Sequence, residues 1–376
     1  MPESLNTRKH YIRIIAFALM LKVLYLGCIH LYCHYFGIPQ THFLEVFHRN
    51  DSGWYQKIAT QGYDHISSLS DLGDTSVLPW KQSNWAFFPV YPYTIAALMK
   101  TGLDYYWSAF LVSIIFSIAC FVALYQFFVQ YLKSAPKAYW LTLLFIASPF
   151  SYHLSMYYTE SYFLLTLLLA FVGVLQQKWW LTAIASAVLV LVRPNGIICL
   201  LPVWLFQWEQ NGGGLKTLNL TQIWKNSWMF LPAALTFSAY LLYQHQATGY
   251  YNAFSLAQKG WGKQTMIPFK ALFRQGDFAS TFNSIYVCVV MLYALIIAKK
   301  LPLSMNVLIW INILLPLSAG SVTSMTRYIS VIFPLYIVWA SFGAQKAGTK
   351  YATITLCLLL QCVLLAYWAQ SDPLSY

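Results

Sequence analysis

Long apolar runs separated by short polar turns dominate the chain, and the turns hold nearly all of its charge. The runs fall at about 11–36, 106–132, 138–153, 160–177, 179–192, 196–208, 228–246, 284–298, 305–320, 328–343 and 351–369. Their unbroken hydrophobicity predicts helices, because barrel strands would alternate apolar and polar positions. Residues 179–208 exceed one crossing at about 1.5 Å per residue, and Pro194-Asn195-Gly196 interrupts them, so two short helices meeting at a turn are expected there.

Composition sharpens this into a fold class. Of 376 residues, 59% are hydrophobic and 18% aromatic, and the mean hydropathy is +0.55, outside the usage of soluble domains. The expectation is an all-α polytopic membrane protein of about eleven transmembrane helices in one domain, 1–376. Residues 37–105 would form a large external first loop with an interfacial helix and a short or re-entrant segment at 87–102. Were 87–102 a full span, every later segment would change sides. The first run follows Arg8 and Lys9 and is too long for a signal-peptide core, so it should remain as a membrane helix.

The net charge of +12 does not point to nucleic acid, since the basic residues are scattered at the ends of apolar runs without a stripe or recognition module. They read as topology signals and contacts to anionic membrane lipids. With a cytoplasmic N-terminus, Arg8, Lys9, Arg13, Lys133, Lys137, Lys178, Lys216, Lys225, Lys299, Lys300, Lys346 and Lys350 share one face. The opposite face then carries the loop 37–105, the turn at 154–160, the Pro194 break, the loop 247–283 and the turn 321–327. Lys22 lies inside the first run, where its long stem would snorkel or face other helices.

Candidate chemistry therefore belongs to that opposite face. Among eleven acidic residues, only Glu160 has apolar sequence on both sides, and an ionisable group there is a functional-site candidate. It also reads as a first-turn carboxylate behind a Thr159 cap, favoured by the helix dipole. Asp51 poses the same pair of readings. Asp51 or Ser52 would cap a surface helix whose apolar face is Trp54, Tyr55, Ile58 and Ala59 and whose end is Gly62; alternatively, Asp51 is a catalytic carboxylate. The seven cysteines lack metal-ligand spacing and read as small core side chains. His30 and His34 are four residues apart but have no evident third ligand, and no Asp-x-Asp is present to suggest a divalent cation. Asn50-Asp51-Ser52 and Asn219-Leu220-Thr221 match the glycosylation acceptor pattern.

Taken in order, "NDSGWYQKIATQGY", "NWAFFPVYP" at 84–92, "SPFSYHLSMYYTES" at 148–161, "RPNG" at 193–196, "AFSLAQKGWGK" at 253–263 and "SMTRYISVIFPLY" at 324–336 resemble the GPI mannosyltransferase 2 family, phosphatidylinositol glycan class V. Each motif alone is weak, whereas six in the family's order over about 290 residues are specific. The chain departs from the family where a Trp-Asp pair should stand, since Asn50 precedes Asp51.

The resemblance implies a class C (GT-C) glycosyltransferase that moves a hexose, mannose in the family, from a polyprenyl or dolichyl phosphate sugar to a glycolipid or GPI-like acceptor. It implies an inverting reaction on the lumenal or periplasmic face, with Asp51 as base, in the bacterial inner membrane or the endoplasmic reticulum. No cofactor beyond the lipid phosphosugar and no metal is implied; a partner subunit is compatible. Glu160 would orient the acceptor or share the proton, and Arg327, then Arg193 and Lys259, would hold the donor phosphate. His48, Trp54, Tyr55, Tyr63, Trp85, Tyr158, Gln258, Trp261 and Asn195 are candidate substrate contacts, the aromatic ones equally suited to an interfacial belt. A lipid-sugar flippase is the main alternative, disfavoured by the lack of internal repeats. A structural subunit is a third.

Overall fold

The computed structural model describes residues 2–73, 82–213, 227–273 and 276–375. Asp74, Gly214, Lys216, Lys225 and the 219–221 acceptor pattern lie outside them. The described residues are helical, with no strand. Four helices are long and apolar enough to cross a membrane, as a multi-pass membrane protein requires. They are α1 (Pro2–Tyr35), α4 (Tyr105–Leu132), α12 (Phe278–Ile297) and α15 (Ala347–Ala369).

The other helices are shorter: α2 (Ser52–Gln61), α3 (Val90–Met99), α5 (Ala135–Ala147), α6 (Glu160–Leu175), α7 (Trp179–Leu189), α8 (Leu200–Gln210), α9 (Leu231–Thr248), α10 (Ala253–Ala257), α11 (Pro268–Ala271), α13 (Leu303–Ser318) and α14 (Met325–Ser330). Helix α3, at ten residues, extends only about 15 Å and is too short to cross the hydrocarbon core as a helix.

Prolines explain where the runs expected at 138–153 and 328–343 are cut. Ser148 precedes Pro149 and is extended, as the residue before proline prefers, so α5 stops and a 3₁₀ turn, Ser151–Ser155, follows. The ring of Pro334 would clash with the carbonyl four residues earlier, that of Ser330. Helix α14 ends at that residue and a 3₁₀ segment, Phe333–Ala344, continues.

The expected break in 179–208 is present as α7, a 3₁₀ turn Pro194–Gly196, and α8. A Cβ on Gly196 would run into the Leu189 carbonyl. Gly196→Ala should therefore cost about 1–3 kcal/mol as an overpacked site, measured as a lower midpoint of thermal unfolding in detergent; an unchanged midpoint would mean the turn relaxes freely.

Helix α4 packs against α6, α5 and α1, α6 against α7, and α1 against α15. A separate small core of Ile66, Leu72, Trp85, Ala86, Ala253 and Ala257 joins the first loop to α10. Lys22 of α1 does face other helices: its ammonium donates to Ser113 Oγ at 2.7 Å and to the Ser155 carbonyl at 2.5 Å, and lies 5.4 Å from the Phe47 ring centre. Ser113 also donates to that carbonyl, while Tyr157 N–H bonds to the Phe47 carbonyl and Ser52 Oγ to the Tyr157 carbonyl. This network ties α1, α4 and the start of α2 to the turn that leads into Glu160.

Candidate functional site

Four segments far apart in sequence meet in one chain of charges. Arg327 Nη1 lies 2.7 Å from Asp51 Oδ2 and its Nε 3.2 Å from Glu160 Oε1. Arg193 Nη2 lies 2.8 Å from that same Glu160 oxygen. The side chains of Glu160 and Arg327 are 1% and 6% exposed, whereas that of Asp51 is 27% exposed and forms the open end.

Local sequence sets each position. Arg193 is extended because Pro194 follows it. Glu160 is the first residue of α6, where the helix dipole favours a carboxylate. The hydroxyl of Thr159 makes no capping bond, so dipole and arginines, without that cap, stabilise the charge. Asp51 precedes α2, but its side chain makes no capping bond either, and its backbone is already helical. Asp51 thus stands at the expected N-cap position, but the expected side-chain cap is corrected: the carboxylate faces Arg327 instead.

Two of the five described non-glycine residues with positive φ flank the Asp51–Arg327 pair: Asn50 at φ 50° and Ser324, opening α14, at φ 66°. Asparagine tolerates the left-handed region better than branched or bulky side chains. Asn50 therefore suits the turn that aims Asp51 at Arg327, and a Trp here would be strained. Asn50→Gly should leave stability nearly unchanged, whereas Asn50→Val should cost about 1–2 kcal/mol; equal unfolding midpoints for the two variants would remove the strain argument.

Aromatic faces surround the charges. Arg327 sits 4.6 Å over Tyr158 and 5.3 Å over Tyr328, and Arg193 sits 5.1 Å over Tyr328 and 5.6 Å over Phe163, contacts that favour a desolvated cation. Tyr328 stands among three positive charges, those of Lys263, Arg327 and Arg193. Burial first, then the charges of Asp51 and Glu160, push the Tyr55 phenol up, so it stays a neutral donor beside the carboxylates. Lys263 is held near the start of α14 because Gln264 and Met266 N–H groups bond to the Ala319 and Ser318 carbonyls.

The expected substrate contacts divide into two groups. Trp54 lies 5.4 Å from Trp261 and 5.9 Å from Phe87, and Gln258 Nε2 donates to the Ala86 carbonyl; these half-buried rings form one platform. Tyr63 and Trp85, by contrast, stack on each other at 4.3 Å, with Trp85 Nε1 bonded to the Asp64 carbonyl and Tyr63 OH to that of Phe87. They hold the small core together and offer no open sugar face. Tyr158 is buried beneath Arg327. His48 packs edge-on against Tyr105 and Tyr106, and burial, then Arg49, lowers its pKa. Asn195 donates to Asn312 Oδ1 at 3.1 Å, tying its turn to α13.

Lys259 is exposed and makes no ion pair with described residues, so the loop's contribution of positive charge beside Tyr328 falls to Lys263. Sequence reasoning passed over Lys263 and Tyr328, although both lie inside the motifs, at the end of "AFSLAQKGWGK" and directly after Arg327. His30 bonds to the Phe43 carbonyl. No group of three or more His, Cys, Asp or Glu among the described residues is arranged to hold a metal. No protein-family model matches the chain, and no curated protein matches it significantly.

Proposed function

We propose that the chain is a GT-C-like membrane glycosyltransferase that moves a hexose, mannose by its motif resemblance, from a polyprenyl phosphate sugar to a glycolipid acceptor. The observation that carries this reading is the convergence of Asp51, Glu160, Arg193 and Arg327, each from a different motif, into one chain of charges open at Asp51. In the reaction, Asp51 takes the proton of the acceptor hydroxyl. The acceptor oxygen bonds to the anomeric carbon from the face opposite the phosphate, the carbon–phosphate oxygen bond breaks, and the leaving polyprenyl phosphate keeps the electron pair, inverting the centre. Arg327 holds the phosphate charge as it develops.

Glu160 is too buried to meet the acceptor, so its role is positioning: one carboxylate oxygen fixes both guanidinium groups. Trp54 and Trp261 offer faces on which a sugar stacks. The active site lies on the lumenal or periplasmic face, and the shorter apolar helices complete an arrangement of about eleven membrane segments. Purified protein incubated with radiolabelled polyprenyl phosphate mannose and a lipid extract should transfer label to lipid, and Arg327→Gln should not. Label that never leaves the donor with any extract would remove the transferase reading.

A further inference from the structure

Asp51 and Arg327 occupy each other's functional positions. The Nη1 of Arg327, paired with Asp51 at 2.7 Å, is a donor that a phosphate would take, because the two anions present similar oxygens to it. Asp51 is the member of the charge chain least committed to its place. It is the most exposed of the four, lacks a capping bond, and among the described residues pairs with Arg327 alone. Glu160, by contrast, is closed off and shared by two arginines. Without Asp51, two buried guanidinium groups share a single carboxylate, leaving an excess positive charge at a mouth to which Lys263 adds another.

We propose that Asp51 is an internal occupant of an anion site, and that a phosphate-bearing ligand displaces it from Arg327. Displacement couples binding to catalysis: the phosphate takes the guanidinium, and the carboxylate is freed as a base only when a donor is present. The ligand's class follows from the donors, a phosphate monoester or diester, borne by a lipid or free. The inference takes from the preceding section only the reading of this site as one for a phosphate-linked sugar.

The test compares binding of farnesyl phosphate, inorganic phosphate and farnesol to wild type, Asp51→Asn and the double variant Asp51→Asn/Arg327→Gln in detergent, by titration calorimetry. Asp51→Asn should bind farnesyl phosphate about tenfold more tightly than wild type, as expected when a competing close charge is removed. The double variant, which removes both charges and so leaves neither unpaired, should lose that gain, and farnesol should bind all three alike. Tightening for inorganic phosphate as well would show that the phosphate alone displaces Asp51; tightening for farnesyl phosphate only would show a lipid-borne one. Equal or weaker binding by Asp51→Asn, or equal tightening for farnesol, would overturn the proposal. Tighter binding by Asp51→Asn, alongside a wild type that itself transfers no sugar, would sink the transferase reading and leave the anion site standing.

Discussion

Asp51→Asn should lower sugar transfer by about 10²–10⁴-fold, the usual contribution of a positioned general base. The substitution keeps size and hydrogen-bonding oxygen but removes proton affinity. Because the side chain is partly open and caps nothing, the fold should survive, and a thermal midpoint within a few degrees of wild type would verify that. The loss should therefore appear in kcat, with the donor bound at least as tightly. Transfer at the wild-type rate by Asp51→Asn would end its assignment as base.

Glu160→Gln should have the largest effect on stability. Removing one partner from a buried ionic group leaves uncompensated charge and costs about 3–5 kcal/mol. Here the cost applies to two guanidinium groups at once, since Arg193 hydrogen-bonds to Glu160 Oε1, Arg327 forms an ion pair with the same oxygen, and neither is solvated enough to relax. The thermal midpoint of Glu160→Gln in detergent should fall clearly, while Lys259→Gln, at an exposed unpaired position, should leave it unchanged. Combining Glu160→Gln with Arg193→Leu should recover part of the loss, because the residual buried charge is smaller. A Glu160→Gln midpoint equal to wild type would show that the two arginines are held by something else.

Much of the fold was legible because apolar continuity fixes where helices run. Helices α1, α4, α13 and α15 begin and end within a few residues of the expected runs, apart from the polar start of α1. The shortening of 138–153 and 328–343 was also written in the chain, at Pro149 and Pro334, but hydrophobicity outweighed proline in reading those runs. For the site, the motif order pointed to Asp51, Glu160, Arg193 and Arg327. It did not disclose that they touch, because their contacts span from 33 to more than 270 positions and pairing over such separations leaves no local pattern. The capping role of Asp51 was a local inference that a tertiary partner overrode. Tyr63 and Trp85 illustrate the converse: an aromatic in an external loop looks the same in sequence whether it faces a sugar or fills a small core.

The most direct measurement follows the fate of the donor. Protein reconstituted in vesicles is given polyprenyl phosphate mannose labelled in both sugar and lipid, together with a lipid extract, and donor, free polyprenyl phosphate and product are counted. The account predicts one polyprenyl phosphate released for each sugar transferred, with the anomeric centre inverted. Intact donor recovered on the opposite leaflet, with no polyprenyl phosphate released, would contradict it and identify a transporter.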